Sequence, residues 1–176
     1  MKDLSSQGPL VNRVANSPLK TINLEEYYPQ AEIEELDISQ YLFKGLLLRE
    51  KEFRSAIKGI DWSVHAGKIV CVYCSTDAIV PVWAYMLVST YLHPYAEDVY
   101  HGSKAHFLKQ YYSEIIRKKN WESHRDGLYV IKGCSDKPVP ESAYMDLTRA
   151  LQPYAKSIMY GEPCSTVPIY KRPKKS

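Results

Sequence analysis

The chain has 176 residues, of which 45% are hydrophobic and 24% charged, with a formal net charge of +3. That is enough apolar residue for a packed core, so disorder beyond the ends is excluded, and too little charge to argue for nucleic acid. The opening "MKDLSSQGPL" has no apolar signal-peptide core, and the most apolar run, "PVWAYMLVSTYL" (81–92), is too short to cross a bilayer. A cytoplasmic protein with no membrane partner is expected, its four cysteines reduced.

In chain order, residues 1–20 read as a flexible arm, with one short strand near Lys20–Leu24. "DISQYLFKGLLL" (37–48) predicts a capped short helix followed by a strand. "REKEFRSAIKG" (49–59) predicts an amphipathic helix with Phe53 and Ile57 inward and Gly59 as its C-cap. "KIVCVYC" (68–74) and "LYVIKGC" (128–134) have the aliphatic and aromatic composition of buried strands. Each leads through a polar turn to Pro81 or Pro140 at a helix start, where the missing N–H is not needed. Those helices end at His93-Pro94 and Gln152-Pro153, because the residue before proline is pushed out of the helical region. "AEDVYHG" and "AKSIMYG" supply further strands, and 103–120 puts Phe107, Leu108, Tyr111, Tyr112, Ile115 and Ile116 on helical spacing. Residues 21–169 are expected to form a single α/β domain, followed by a basic tail, 170–176.

Shifted by 59 positions, "VPVWAYMLVSTYLHPYAEDVYHG" (80–102) matches "VPESAYMDLTRALQPYAKSIMYG" (139–161) at ten of 23 places. Unrelated segments share roughly one or two. With an offset of 60 further upstream, Cys74 and Ser75 fall on Cys134 and Ser135. The expected fold is therefore a mostly parallel sheet built from a duplicated β-α-β unit, about 67–102 and 127–161, with an N-terminal extension. Val82, Trp83 and Leu87 correspond to Glu141, Ser142 and Asp146, so the first helix needs a cover that the second does not. The N-terminal third is the expected cover, another subunit the alternative.

Three phrases, "CSTDAIVP", "CSDKPVP" and "CSTVP", place Cys74, Cys134 and Cys164 just after strands, where parallel sheets bind ligands. On one sheet they would share an edge, with Ser75, Ser135, Ser165 and Glu162 lining it. Three thiolates would hold zinc or part of an iron–sulfur cluster, with Asp77, His65, His101 or water as fourth ligand. Alternatively, two thiols facing each other across a cleft would serve as base and acid in a cofactor-independent racemase-like enzyme. In a third reading the cysteines are small buried residues of a structural or partner-binding protein. "CVYC" (71–74) lies within a strand, so Cys71 should be core rather than a redox partner. No arginine stands where a cysteine phosphatase needs one, and the histidines have no zinc-type spacing.

"NRVANSPL", "YCSTDAIVPVWAYML", "IKGCSDKPVPESAY" and "AKSIMYGEPCSTVPIYKRP" together resemble the bacterial family called domain of unknown function 2480, from about residue 10 onward. The family brings no established activity. The resemblance implies a context beside the sulfur-mobilisation machinery that builds iron–sulfur clusters, with iron–sulfur assembly proteins as partners. An accessory role in iron–sulfur or metal handling is thus the leading expectation, with Arg13 of the family-like "NRVANS" reaching an anionic group near the site.

Overall fold

A computed structural model describes residues 18–133 and 136–174. The strands are β1 (Leu19–Asn23), β2 (Ile33–Asp37), β3 (Ile69–Tyr73), β4 (Asp98–His101), β5 (Leu128–Lys132), β6 (Ser157–Glu162) and β7 (Ser165–Lys171). The helices are α1 (Glu50–Lys58), α2 (Val82–Leu92), α3 (Lys104–Lys118) and α4 (Glu141–Leu151). They form two compact units, one of residues 27–114 and one that joins the chain before Tyr27 to the chain after Glu114.

In the unit 27–114, β2, β3 and β4 make a parallel three-stranded sheet with β3 at its centre. Ile69 to Val72 are buried without a break, the pattern of a parallel strand covered on both faces. Phe53 and Ile57 of α1 pack with Ala84, Val88 and Leu92 of α2 over this sheet. The cover expected for α2 is partly there. The Trp83 ring meets Phe53 edge-on at 6.0 Å and Leu87 packs against the same core, while Val82 stays 74% exposed.

The other unit has the strand order β1-β5-β6-β7, parallel except for β7, which runs antiparallel to β6. Ala143, Leu147 and Leu151 bury one stripe of α4. The chain is thus an α/β protein with largely parallel strands, but the single sheet expected from sequence is two. Both central strands take an N-terminal strand as neighbour, β2 beside β3 and β1 beside β5. Strand periodicity says which residues are extended, not which strand lies alongside, so that exchange was invisible. The predicted strand near Lys20–Leu24 is a sheet member, and Ile33–Asp37 is a second, unforeseen one. Where a strand was expected after Tyr41, the chain reverses at Lys44-Gly45, both at positive φ, and leaves a single bridge between Phe43 and Leu47. Strand β7 extends to Lys171, into the stretch read as tail.

The same hydrogen bonds recur 59 positions apart. Trp62 Nε1 donates to Ile57 O at 3.0 Å, and Trp121 Nε1 to Ile116 O at 2.8 Å. Gly67 N donates to Tyr95 O and Asp126 N to Tyr154 O, each at 3.0 Å, with φ of +69° and +60° at the two donors. Strand register agrees, Ile69 facing Asp98 as Leu128 faces Ser157. The offset of 60 is therefore corrected, since Cys74 stands at the position of Gly133 and not of Cys134.

Glu34 of β2 ties down the turn before β3. Its Oε2 lies 3.1 Å from His65 Nδ1 and 3.1 Å from Lys68 Nζ. Burial alone would raise its pKa, but hydrogen bonds and positive charge from His65 and Lys68 prevail and lower it. A depressed carboxylate stabilises the fold above its unfolded pKa, and that contribution vanishes as pH falls through the folded value. Glu34→Gln is expected to cost about 1 kcal/mol at pH 7. In thermal melts the gap from wild type should close below about pH 4; a gap constant with pH would rule out the carboxylate charge as its source.

Candidate functional site

The carboxyl edge of the β2-β3-β4 sheet gathers four chemically capable side chains. Asp37 ends β2 and accepts hydrogen bonds from Ser39 N (2.9 Å) and Ser75 N (3.1 Å). The first bond caps the short 3-10 turn Ile38–Tyr41 expected from sequence, and the second pins the loop that leaves β3. Burial pushes the Asp37 carboxyl up, but these hydrogen bonds outweigh it and hold it below the usual carboxylate range. The Ser39 and Ser75 hydroxyls lie 3.2 Å apart beside it.

Cys74 follows β3 directly and is half-buried. Thr76 Oγ1 donates to Gly45 O at 2.7 Å, which commits the hydroxyl proton. The Thr76 hydroxyl oxygen, 3.4 Å from Cys74 Sγ, therefore acts as acceptor, and the thiol also reaches Thr76 O at 3.6 Å. His101 ends β4 and meets the Tyr85 ring of α2 edge-on, with centroids 4.4 Å apart. Burial raises the Tyr85 pKa, reinforced by negative charge at Cys74 and Asp37. A thiol, a carboxylate, a phenol and an imidazole thus converge from three strand ends and one helix, where ligands bind parallel sheets.

The second unit has nothing comparable at the matching positions. Its turn after β1 is pinned in the same way, with Glu25 N donating to Asn23 Oδ1 at 3.1 Å. Where Asp37, Cys74 and His101 stand in the first unit, it has Asn23, Gly133 and Tyr160. Tyr144, at the place of Tyr85, hydrogen-bonds to Gly133 O and meets Tyr160 edge-on at 5.8 Å. None of Asn23, Gly133, Tyr144 and Tyr160 carries a thiol, a carboxylate or an imidazole.

The predicted ligands among the described residues come from both units. Cys164 is exposed in the two-residue turn of the β6-β7 hairpin, so Cys74 and Cys164 belong to different sheets, not to one sheet edge. Ser165 opens β7 opposite Glu162, and Glu162 pairs with Lys132 at 3.3 Å. Asp77 is exposed in the loop after Cys74, and Ser75 is engaged with Asp37. Cys134, Ser135 and Arg13 lie outside the described residues. Among the described residues no group of three His, Cys, Asp or Glu is placed to hold a metal ion. His65, a candidate fourth ligand, is buried against Glu34. Cys71 is core as expected: burial first, then Glu35 and Asp98, pushes its thiol up to about 11.

Sequence reasoning named Cys74 and His101 as candidates but missed Asp37. The one available signal for Asp37 was the parallel between Asn23-Leu24-Glu25 and Asp37-Ile38-Ser39, each following a short strand.

The family model described as "Protein of unknown function (DUF2480)" matches residues 8–172. The chain belongs to this family. The match spans both units, so membership covers the Cys74 edge and the hairpin bearing Cys164 alike. No curated protein and no solved structure matches the chain. No described helix is long and apolar enough to cross a membrane.

Proposed function

We propose that the protein is an accessory factor in iron–sulfur or metal handling whose working group is the Cys74 thiol. The observation that carries this reading is the contrast between the two units. On matching backbone, one sheet edge has Asp37, Cys74 and His101, and the other has Asn23, Gly133 and Tyr160. We infer from the recurring hydrogen bonds that the two β-α-β segments are copies of one unit, of which one copy holds the chemistry.

Cys74 is half-buried and free, with the Thr76 hydroxyl accepting from its thiol. Ligation of a thiophilic cargo releases the thiol proton, with His101 and Asp37 as polar neighbours at the same edge and not as a preformed set of ligands. Support for Cys74, Cys134, Cys164 and Asp77 as one ligand set rests on the sequence alone. The two-thiol enzyme assumed that Cys74 and Cys134 are equivalent, and the register gives that premise no support.

Anaerobic purification followed by metal analysis and visible absorption tests the proposal. Wild type is expected to take up iron, zinc or a cluster, Cys74→Ser to lose it, and Cys164→Ser to retain it. Loss in all three single variants, Cys134→Ser included, would replace this reading with a three-cysteine cage. A wild type that takes up no metal or cluster on reconstitution would end it.

A further inference from the structure

The helix α4 carries a stripe that is complementary to itself. Glu141, Met145 and Arg149 stand four residues apart along one exposed face, and Met145 at the centre is 75% exposed. A large thioether in water is costly, about 25 cal/mol for each Å² left uncovered. Beside the stripe runs an open groove of about 630 Å³, whose apolar lining includes Tyr144, Tyr160, Met159 and Ile169. Polar groups are concentrated on α4 itself, with Glu141 in its first turn and Arg149 and Gln152 at its end. Ile169 is brought there by a β-bulge. Strand β7 pairs Pro168 with Met159 and Tyr170 with Ile158, leaving Ile169 as the extra residue between them. Bulges at sheet edges commonly re-aim a side chain in this way.

We propose that this face is the interface of a twofold homodimer, with the α4 helices of two copies antiparallel and Met145 at the axis. A twofold axis through Met145 places position i+4 of one helix opposite position i−4 of the other. Glu141 then faces Arg149 of the partner subunit, and the symmetry makes the same pair a second time. Arg149 already bonds Asp146 through Nη2 at 3.0 Å, but a guanidinium has five N–H donors, so this does not exhaust it. The paired apolar centre with charged ends is the arrangement of a stable interface.

The matching helix of the other unit shows why α4 is the choice. At the same three positions α2 has Val82, Met86 and Thr90, an apolar stripe without opposite charges at its ends. Such a stripe fixes neither direction nor register, whereas α4 specifies both. The inference does not depend on Cys74.

Sedimentation velocity on the full chain, from about 1 to about 100 µM, provides the test. Wild type is expected to dimerise in this range. Met145→Glu should weaken the dimer at least roughly tenfold, because it puts two carboxylates at the axis. Glu141→Arg alone should weaken it by several-fold, and Glu141→Arg combined with Arg149→Glu should restore it, since the swap recreates both pairs. All substituted positions are exposed, and far-UV circular dichroism checks that α4 is intact; Met145→Lys replaces any variant that loses helix. A monomeric wild type throughout the range would overturn the proposal. So would a dimer indifferent to Met145→Glu, or a charge swap no better than its single components.

Discussion

Phe53→Ala is expected to lower stability by about 3–5 kcal/mol, close to the whole margin of a small domain. Phe53 is fully buried on α1, and its ring makes edge contacts with Tyr41 at 6.5 Å and Trp83 at 6.0 Å. Truncation removes these aromatic contacts and leaves a cavity between α1, α2 and the turn after β2, walled by elements that cannot all close in. Phe53→Leu keeps most of the volume and should cost about 1–2 kcal/mol. Glu52→Ala, one residue away on the solvent face, removes only an exposed ion pair with Arg49 and should stay within about 0.5 kcal/mol. Urea denaturation followed by tryptophan fluorescence measures the series, with Trp62 and Trp83 reporting on this unit. The midpoint should fall with little change in slope. A Phe53→Ala variant within 1 kcal/mol of Glu52→Ala would mean that α1 does not close the core over α2.

Those core positions were legible because they follow helical spacing in a short window. Phe53 and Ile57 are four apart, and Gly59 ends the helix where its composition stops supporting one. The same holds for β3 and β5, whose aliphatic runs have no other sensible home. Two strands escaped for opposite physical reasons. In β2 only Ile33 and Leu36 are buried, and Glu34 and Glu35 between them look like solvated surface. Glu34 is instead an anchor for His65 and Lys68, residues more than 30 positions away. In β7, Pro168 argues against a strand, yet an edge strand tolerates the missing N–H. The site divides along the same line. Cys74 could be placed from local sequence, because it follows a strand and precedes a helix. Asp37 could not, because its bond to Ser75 exists only once β2 is known to lie beside β3. The repeat showed that two segments match, but a one-residue choice of offset set Cys74 against Cys134. Backbone hydrogen bonds fix that offset and composition does not.

Gly161→Val is expected to detach β7 and to cost about 3 kcal/mol or more, combining backbone strain with a steric conflict. Gly161 has a φ of +115°, where an L side chain is strained whatever space surrounds it. Space is also missing, because a Cβ built there falls 2.6 Å from Ser165 O, a backbone atom of the facing strand. A flexible side chain would swing aside; a strand carbonyl moves only if the hairpin opens. Hydrogen exchange should therefore show lost protection at the amides of β7 while those of β5 keep theirs. Gly59→Ala is the control, with an ordinary φ of −86° and no neighbour of its Cβ nearer than 3.6 Å, and should leave exchange unchanged. The variant also tests how the molecule's surfaces depend on one another. Ile169 lines the groove beside α4 only while β7 is paired, so Gly161→Val should weaken self-association although α4 keeps Glu141, Met145 and Arg149. The metal uptake proposed for Cys74, which lies in the other unit, should be untouched. If association survives the loss of β7, the helix stripe alone holds the two copies together and the groove is not part of their interface.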